Sequence, residues 1–412
     1  AQASTCFLRA GHSCGHSAAS PRPAEGTMAS CMTIISEAYD SLWRMIIRPP
    51  RELYSPEDLG PDRFASQGTS CERTDFHLMN GRGQRLECSY WRPCSGLLGA
   101  LPCVVYLHGN SSSRLEAGVV LEYLLPRNIA VFSMDLAGSG RSDGEYVSLG
   151  YYEEQDLRVA VEHLRTSGRA SAVALWGRSM GAATAVLRAG EDEELAACVL
   201  DSPFASLRQV VEEVAASNGP FAVPRFLVSM AIPVVAREVQ SRAGFDIEDV
   251  LPASKAPTAV APVLFAVALD DDFVLPHHAR DLHDTWGGSE RRFVTFGGGH
   301  NGRRPESFYR DAAEFLERHL CTASTREALK AMGFDREVSA EAARRHTSVE
   351  ASLEWALRRD LLLTQRSSLA DVAPSVPGPR MVKSAPMRSL LANSPTPSRR
   401  RNHEEVAKLV QV

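Results

Sequence analysis

The stretch ALWGRSMGAATAV, residues Ala174–Val186, sets a serine between two glycines at the junction of two sequence patterns. The apolar run AVALW predicts a strand that ends at Trp176, and the alanine-rich run after Ser179 predicts a helix. So tight a strand-to-helix turn needs small flanking residues and strains the backbone of the serine. It also lifts the hydroxyl out of the sheet, at a helix N-terminus where a developing negative charge is favoured. The stretch therefore predicts a nucleophilic serine, Ser179.

A serine hydroxyl is a weak nucleophile unless a base accepts its proton and a carboxylate orients that base. Two later runs, RFVTF and VLFAVAL, predict strands that end in suitable side chains. The first is followed by His300 in the glycine-rich GGGHN, and the second by Asp270, Asp271 and Asp272. Each has an ordinary alternative, a polar loop histidine or a solvated acidic turn. Serine, aspartate and histidine nevertheless follow in an order known for catalytic triads, and the combination favours a triad over coincidence.

Short apolar runs alternate with helical patterns from about Ser70 to Leu320. The alternation predicts an α/β fold with a doubly wound, mostly parallel sheet and helices on both faces. Such a sheet places its binding site at the carboxyl ends of the strands. Residues 202–258 interrupt the alternation and predict a helical lid over the site, with extra core helices as the alternative. The runs that predict strands are LECSYW, CVVYL, AVFSM, AVALW, AACVL, VLFAVAL and RFVTF.

The composition is that of an ordinary globular protein, with 44% hydrophobic residues, 23% charged residues and a formal net charge of −5. This charge gives no bias toward nucleic acid, so no nucleic-acid partner is expected. The nine cysteines form no CxxC pair, which argues against a disulfide framework and against a cysteine zinc site. Their use favours a reducing, cytoplasmic setting.

The first 60 residues are expected to contain a disordered stretch, 1–33, followed by an amphipathic helix and linker, 34–60. Apolar residues recur at helical spacing from Ile34 to Ile47, and the two prolines that follow end the helix. The helix either packs on the main domain or lies on a membrane surface with Cys31 lipidated. Its acidic polar face favours packing. Peripheral membrane association stays open.

Residues Pro61 to Leu320 resemble an α/β hydrolase, because five motifs of that family occur in the right order. The likeness is greatest to serine hydrolases that carry HGN and GxSxG, including depalmitoylase-like and serine-aminopeptidase-like members. The motifs are YLHGNSSS (Tyr106–Ser113), MDLAGSGRSDG (Met134–Gly144), GRSMG, DDDFV and GGGHN.

The resemblance implies a role for each member of the triad. Ser179 would be the nucleophile, and His300 the general base that later acts as the acid. Asp271 would orient His300, because it fits the family's D-x-x-V/I spacing. The neighbouring Asp270 and Asp272 remain alternatives for this position.

The resemblance also implies an oxyanion hole made by the backbone amides of Met180 and Asn110. His108 would shape the loop that carries Asn110. No cofactor is expected, because the glycine spacing in AGSGRSDG differs from that of a dinucleotide-binding loop. No metal is expected either, since the adjacent His277 and His278 should not share one helical face.

Residues 324–362 are predicted to form three short helices that resemble a ubiquitin-associated domain. MGF would be the loop of that domain, and VEASLEWAL its third helix. The resemblance implies ubiquitin binding through an exposed patch containing Met332, Gly333, Phe334 and Leu357. A helical hairpin packed on the hydrolase is the alternative. Residues 363–412 are rich in Ser, Pro and Arg and are expected to be disordered.

These observations predict a serine hydrolase that cleaves an ester, thioester or amide through an acyl-enzyme. The substrate would be a small molecule or an acyl-protein, as for an esterase, a lipase or an acyl-protein thioesterase, and ubiquitin is a further expected partner. A catalytically silent adaptor that binds ubiquitin is the competing hypothesis. The acyl and leaving groups are not fixed by the sequence, because one fold supports many substrates.

Overall fold

The computed structural model describes residues 43–94, 100–217, 225–346 and 348–370 of the 412-residue chain. The predicted disordered N-terminus (1–33), Cys31 and most of the predicted C-terminal tail lie outside the described residues. In the described ranges, Cys71, Cys88, Cys94, Cys103, Cys198 and Cys321 carry free thiols.

One sheet of nine strands organises the described residues, in the order β1-β2-β3-β5-β4-β6-β7-β8-β9. The pairs from β5 through β4 to β9 are parallel, and β1, β2 and β3 form an antiparallel edge. The predicted mostly parallel sheet is confirmed. The strands are β1 (Arg63–Ser66), β2 (Thr69–Met79), β3 (Arg85–Pro93), β4 (Leu101–Leu107), β5 (Ala130–Met134), β6 (Ala170–Arg178), β7 (Cys198–Asp201), β8 (Val263–Ala268) and β9 (Arg291–Phe296).

Helices cover both faces of this sheet, because the side chains of a strand alternate between the faces. In β4, Cys103, Val105 and Leu107 face one apolar cluster, while Val104 and Tyr106 face the other. The helices are α1 (43–47), α2 (Gly118–Leu124), α3 (Tyr151–Thr166), α4 (Met180–Ala189), α5 (Leu207–Ser217), α6 (Arg225–Ala243), α7 (Pro276–Thr285), α8 (Glu306–Ala331), α9 (Arg336–Arg345) and α10 (Val349–Ala370).

The segment between β7 and β8 contains α5, α6 and three short 3-10 turns. Val235 and Val239 of α6 are buried in the same apolar cluster as Trp43 of α1. The guanidinium of Arg242 lies over the Trp43 ring at 4.1 Å. The described end of the N-terminal helix therefore packs on the main domain. None of the helices in the described residues is long and apolar enough to cross a membrane.

The C-terminal helices differ from the expected domain boundary. Helix α8 runs without a break from Glu306 to Ala331, through the boundary expected between residues 320 and 324. No Gly or Pro interrupts this stretch, so nothing in its local sequence ends the helix. Helix α10 continues to Ala370, beyond the predicted end at residue 362.

Candidate active site

Ser179 occupies a strained turn between β6 and α4, with φ 53° and ψ −116°. A Cβ on Gly177 would lie 2.3 Å from the backbone oxygen of Gly181, and one on Gly181 would lie 2.2 Å from the oxygen of Leu107. Neither contact can be relieved by turning a side chain. The two glycines of the motif are therefore required by backbone packing, and they fix Ser179 at the carboxyl end of β6.

The structure brings Ser179, His300 and Asp271 into one hydrogen-bonded chain. The Nε2 atom of His300 lies 2.9 Å from the Ser179 hydroxyl oxygen, and its Nδ1 lies 2.7 Å from Oδ2 of Asp271. All three side chains are buried. They meet because β6, β8 and β9 are parallel, so their carboxyl ends share one edge of the sheet.

Asp271 differs from its two neighbours in burial and in hydrogen bonding. It is 3% exposed, whereas Asp270 and Asp272 are exposed. Its Oδ1 accepts hydrogen bonds from the amides of Phe273 and Val274, which turns Oδ2 toward the histidine. Burial alone would raise the pKa of Asp271, but the hydrogen bonds from His300 and from the two amides hold that pKa below its ordinary value.

The HGN loop after β4 lies beside this turn, and buried side chains hold it there. The Leu136 amide donates to Nε2 of His108, so Nδ1 of that ring carries the proton and donates to the Gly109 carbonyl. His108 is fully buried, as expected for a residue that shapes the loop. Asn110 follows it, and Met180 is the first residue of α4.

Glu116 links the HGN loop to the serine turn. Its carboxylate accepts hydrogen bonds from the Gly109 amide, the Tyr106 hydroxyl and the Arg178 guanidinium. Burial would raise the pKa of Glu116, but the Arg178 guanidinium keeps it below its ordinary value. Arg178, the residue between glycine and serine in the motif, therefore ties the HGN loop to the serine turn through Glu116.

The glycine-rich turn after β5 also contacts the HGN loop and the residues that follow it. The Asp135 carboxylate accepts from the amides of Arg114 and Arg141 and from the Tyr54 hydroxyl. A Cβ on Gly140, which has a φ of 46°, would lie 2.4–2.6 Å from that carboxylate group.

Comparison with known proteins agrees with this geometry. Residues 100–249, from β4 to the turn after α6, match the family described as "Serine aminopeptidase, S33". Human monoglyceride lipase is 35% identical over 131 residues, which is 31% of this chain and 42% of the lipase. The described part of the chain has an α/β-hydrolase fold.

A second sequence relative and a solved structure share more distant likenesses with the chain. The uncharacterised protein YfhR of Escherichia coli K12 is 26% identical over 171 residues, 40% of this chain and 58% of YfhR. The matches therefore span about half the length of these curated relatives. The esterase Pf2001 of Pyrococcus furiosus superposes with a TM-score of 0.51 at 21% identity and covers 66% of this chain and 99% of that structure, a likeness of fold alone.

A cluster of Glu213, His277 and His278 is the group within the described part of the hydrolase whose geometry comes nearest to a metal site. The expectation that adjacent histidines should not share one helical face did not foresee that both reach the same carboxylate. At the start of α7, both Nε2 atoms reach the Glu213 carboxylate, at 2.9 and 3.0 Å. The Ala205 amide donates to Nδ1 of His278, so the neutral ring carries its proton on Nε2 and offers no lone pair there. The geometry favours a hydrogen-bonded contact between α5 and α7.

The residues expected to bind ubiquitin lie far from this edge of the hydrolase. Helix α8 begins beside the His300 loop, and its 26 residues carry the chain about 40 Å along its axis. Met332 is 39% exposed, but Phe334 is half-buried and packs on the small apolar cluster of the C-terminal helices. Gly333, with φ 94°, ends α8. Leu357 is also half-buried, so the predicted patch is only partly exposed, and ubiquitin binding through it stays a prediction.

Proposed function

We propose that the hydrolase is a serine esterase that cleaves acyl esters of apolar small molecules through a covalent acyl-enzyme. The hydrogen-bonded chain from Ser179 through His300 to Asp271 carries the proposal. His300 is within reach of the serine proton, and the carboxylate behind it fixes which ring nitrogen accepts that proton.

The reaction proceeds in two halves. In the first, Ser179 Oγ attacks the ester carbonyl while its proton passes to Nε2 of His300, and the ionised Asp271 stabilises the resulting imidazolium. His300 then donates this proton to the departing alcohol oxygen as the acyl–oxygen bond breaks. In the second half, His300 takes a proton from water, the hydroxide attacks the acyl-enzyme, and Ser179 recovers its proton as the acid leaves.

The negative charge on the carbonyl oxygen needs donors that point at it before the reaction begins. The Met180 amide is at the first position of α4, where amides have no acceptor within the helix. The Asn110 amide lies in the HGN loop, which Glu116 and His108 hold beside the serine turn. We assign these two amides to the oxyanion hole.

Apolar side chains beside the triad favour an apolar acyl or alcohol group. Phe273 is 44% exposed, and its ring centroid lies 5.1 Å from that of His300. Leu269 is 56% exposed at the end of β8. Monoglyceride lipase, a relative over part of the chain, acts by its name on a glycerol ester. A thioester or an amide of the same acyl group is the main alternative substrate.

Two finer predictions accompany the proposed activity: a lid over the site and a ubiquitin partner for the C-terminal helices. Helices α5 and α6 follow β7 and lead back to β8, so they occupy the chain positions of a lid. Ubiquitin binding through residues 324–362 stays a prediction, since the family match ends at residue 249.

The test is hydrolysis of a p-nitrophenyl ester series from acetate to palmitate, with a monoacylglycerol, a palmitoyl thioester and an aminoacyl amide alongside. The wild type should cleave esters fastest, and Ser179→Ala should reduce turnover by about 10⁴-fold or more. Ser133→Ala is the matched control, because Ser133 is also buried but lies in β5, where its hydroxyl binds the Tyr106 carbonyl. Equal, measurable turnover by the wild type and Ser179→Ala would contradict the assignment of Ser179 as nucleophile, and no turnover of any substrate by the folded wild type would favour a silent adaptor.

A further inference from the structure

Arg304 and Asp201 form a buried ion pair directly behind the active site. The guanidinium makes two parallel contacts with the carboxylate, Nε to Oδ2 at 2.8 Å and Nη2 to Oδ1 at 2.9 Å. Each side chain is 4% exposed. Two charges withdrawn from water in this way contribute little net stability, because desolvation offsets their attraction. The pair therefore calls for an explanation other than stability.

The loop that carries His300 is rich in glycine, and Asp270 binds it at Gly298, whose amide donates to Oδ2 of Asp270 and whose carbonyl accepts the Asp270 amide. A Cβ on Gly297 or Gly298 would meet no atom within 4 Å, and Gly298 has a φ of 106°. Glycines with open space around them leave a backbone free to change conformation. The position of His300 must then be fixed by a side chain that ties the loop to the sheet.

Arg304 supplies such a group. Its Nη1 donates to the carbonyl of Gly299 at 3.2 Å and to that of Gly302 at 2.9 Å. These carbonyls stand on either side of His300, and the Gly302 amide closes the same turn by bonding Gly299. One guanidinium therefore holds both ends of the turn in which the histidine sits.

The other half of the pair reaches the nucleophile. The backbone carbonyl of Asp201, at the end of β7, accepts the Ser179 amide at 2.8 Å. Nη2 of Arg304 also lies 3.4 Å from the hydroxyl of Ser202. The pair thus connects the backbone of the serine turn to the backbone of the histidine turn, without touching the reacting atoms.

We propose that Arg304, anchored by Asp201, is a positioning residue that holds the His300 turn at proton-transfer distance from Ser179. The inference rests on the proposed function. A shift of about 1 Å in a group that transfers a proton reduces turnover by up to about 100-fold. Arg304 contacts none of the reacting atoms, so its role is to hold the histidine turn in place.

The experiment first measures the concentration of active sites that react with a fluorophosphonate, and then the turnover rate per active site. Each variant is titrated with a fluorophosphonate, and kcat per titrated site, KM and the second-order rate of phosphonylation are then compared. Arg304→Lys keeps the charge but cannot bridge two carbonyls and a carboxylate, so kcat per site and phosphonylation should both fall by about 10- to 100-fold with KM nearly unchanged.

A matched control and a second variant separate positioning from stability. Arg165→Lys breaks another two-contact arginine–aspartate pair, with Asp192, where α3 and α4 end at the opposite edge of the sheet. It should leave kcat per site within about two-fold. The double variant Arg304→Gln with Asp201→Asn leaves no unpaired buried charge, yet it should be as slow as Arg304→Lys.

A kcat per titrated site equal to that of the wild type in either Arg304 variant would overturn the positioning role. If neither variant gave folded protein, the positioning role would also be overturned, and the ion pair would be assigned to stability. The proposed function fails differently. A wild type that is phosphonylated at Ser179 but cleaves no ester would overturn the esterase alone. A wild type that is not phosphonylated would overturn both.

Discussion

The carboxyl edge of the sheet and the C-terminal helices are held together in different ways. At the edge, Ser179 and His300 are 121 positions apart in the chain and share a hydrogen bond between buried atoms. In the C-terminal helices, the fully buried apolar core of the described residues is Leu329, Ala342 and Ala356. The first region is fixed by backbone contacts that exclude other residue types, and the second by a few side chains that many helical sequences could supply.

This difference explains why a short motif indicates the local structure in one region and leaves the prediction open in the other. GxSxG follows from the absence of space at Gly177 and Gly181, so the motif indicates its own geometry. MGF has no such requirement, and its glycine ends a long helix, as glycine does at many helix ends. A short motif is informative when the structure leaves only one residue type possible.

The largest effect that sharpens this comparison should come from the acid of the triad. Asp271→Asn should reduce turnover by about 10⁴-fold, because the amide no longer selects the correct histidine tautomer. Asp270→Asn, one residue away and exposed, is the control and should change turnover by less than about 10-fold, since the Asp270 carboxylate binds the Gly298 amide and not the His300 ring. Steady-state kinetics on one ester decide the matter. If Asp272→Asn lost its activity while Asp271→Asn kept it, the acid of the triad would be Asp272.

Two glycine substitutions compare the regions directly. Gly181→Ala places a methyl group against the Leu107 and His108 carbonyls and should destabilise the fold by about 3 kcal/mol or more. Gly333→Ala meets no atom within 4 Å and carries only the strain of its φ of 94°, about 1–2 kcal/mol. Thermal unfolding measures both. Equal destabilisation by the two substitutions would remove the contrast drawn here.

A smaller effect is expected from the C-terminal cluster. Phe334→Ala should destabilise helices α9 and α10 by about 2 kcal/mol, because the half-buried ring packs on their apolar core. Hydrogen exchange in residues 336–359 should accelerate while ester hydrolysis stays unchanged. Met332→Ala, at an exposed side chain, is the control and should leave exchange unaltered. If Met332→Ala weakened ubiquitin binding by the full chain, the predicted partner would gain support; if neither variant altered exchange, Phe334 would not be a core residue.

The contact between α5 and α7 should give the smallest effect, and it depends on pH. Burial lowers the pKa of His278 below its ordinary value, so the unfolded chain binds the proton more tightly than the folded one. Stability from the neutral ring is present above about pH 6.5 and is lost as pH falls below it, by at most about 1.4 kcal/mol between pH 7.5 and 5.5. Urea unfolding of His278→Asn should show a weaker loss than the wild type. Exposed His77→Asn should behave like the wild type, and an identical loss in all three proteins would refute the assignment.

The sequence predicted the sheet best where strands are buried on both faces. AVFSM coincides with β5, whose five residues are all buried. Strands β1 and β2 were missed, because β2 lies near the antiparallel edge and its sequence, TSCERTDFHLM, is largely polar and only partly buried. The sequence also singled out the three side chains that the structure joins at the carboxyl edge. Glu116, Asp201 and Arg304 were not foreseen, because an ion pair that spans 62 or 103 positions leaves no local pattern.

The central claim is that Ser179 is the nucleophile of an active hydrolase, and covalent labelling tests it most directly. The full chain is treated with a fluorophosphonate, digested, and the modified residue is located by mass spectrometry. The geometry predicts one adduct, on Ser179, which His300→Gln suppresses because the serine then lacks its base. An adduct on another serine, or an unmodified Ser179 in folded protein, would contradict the claim.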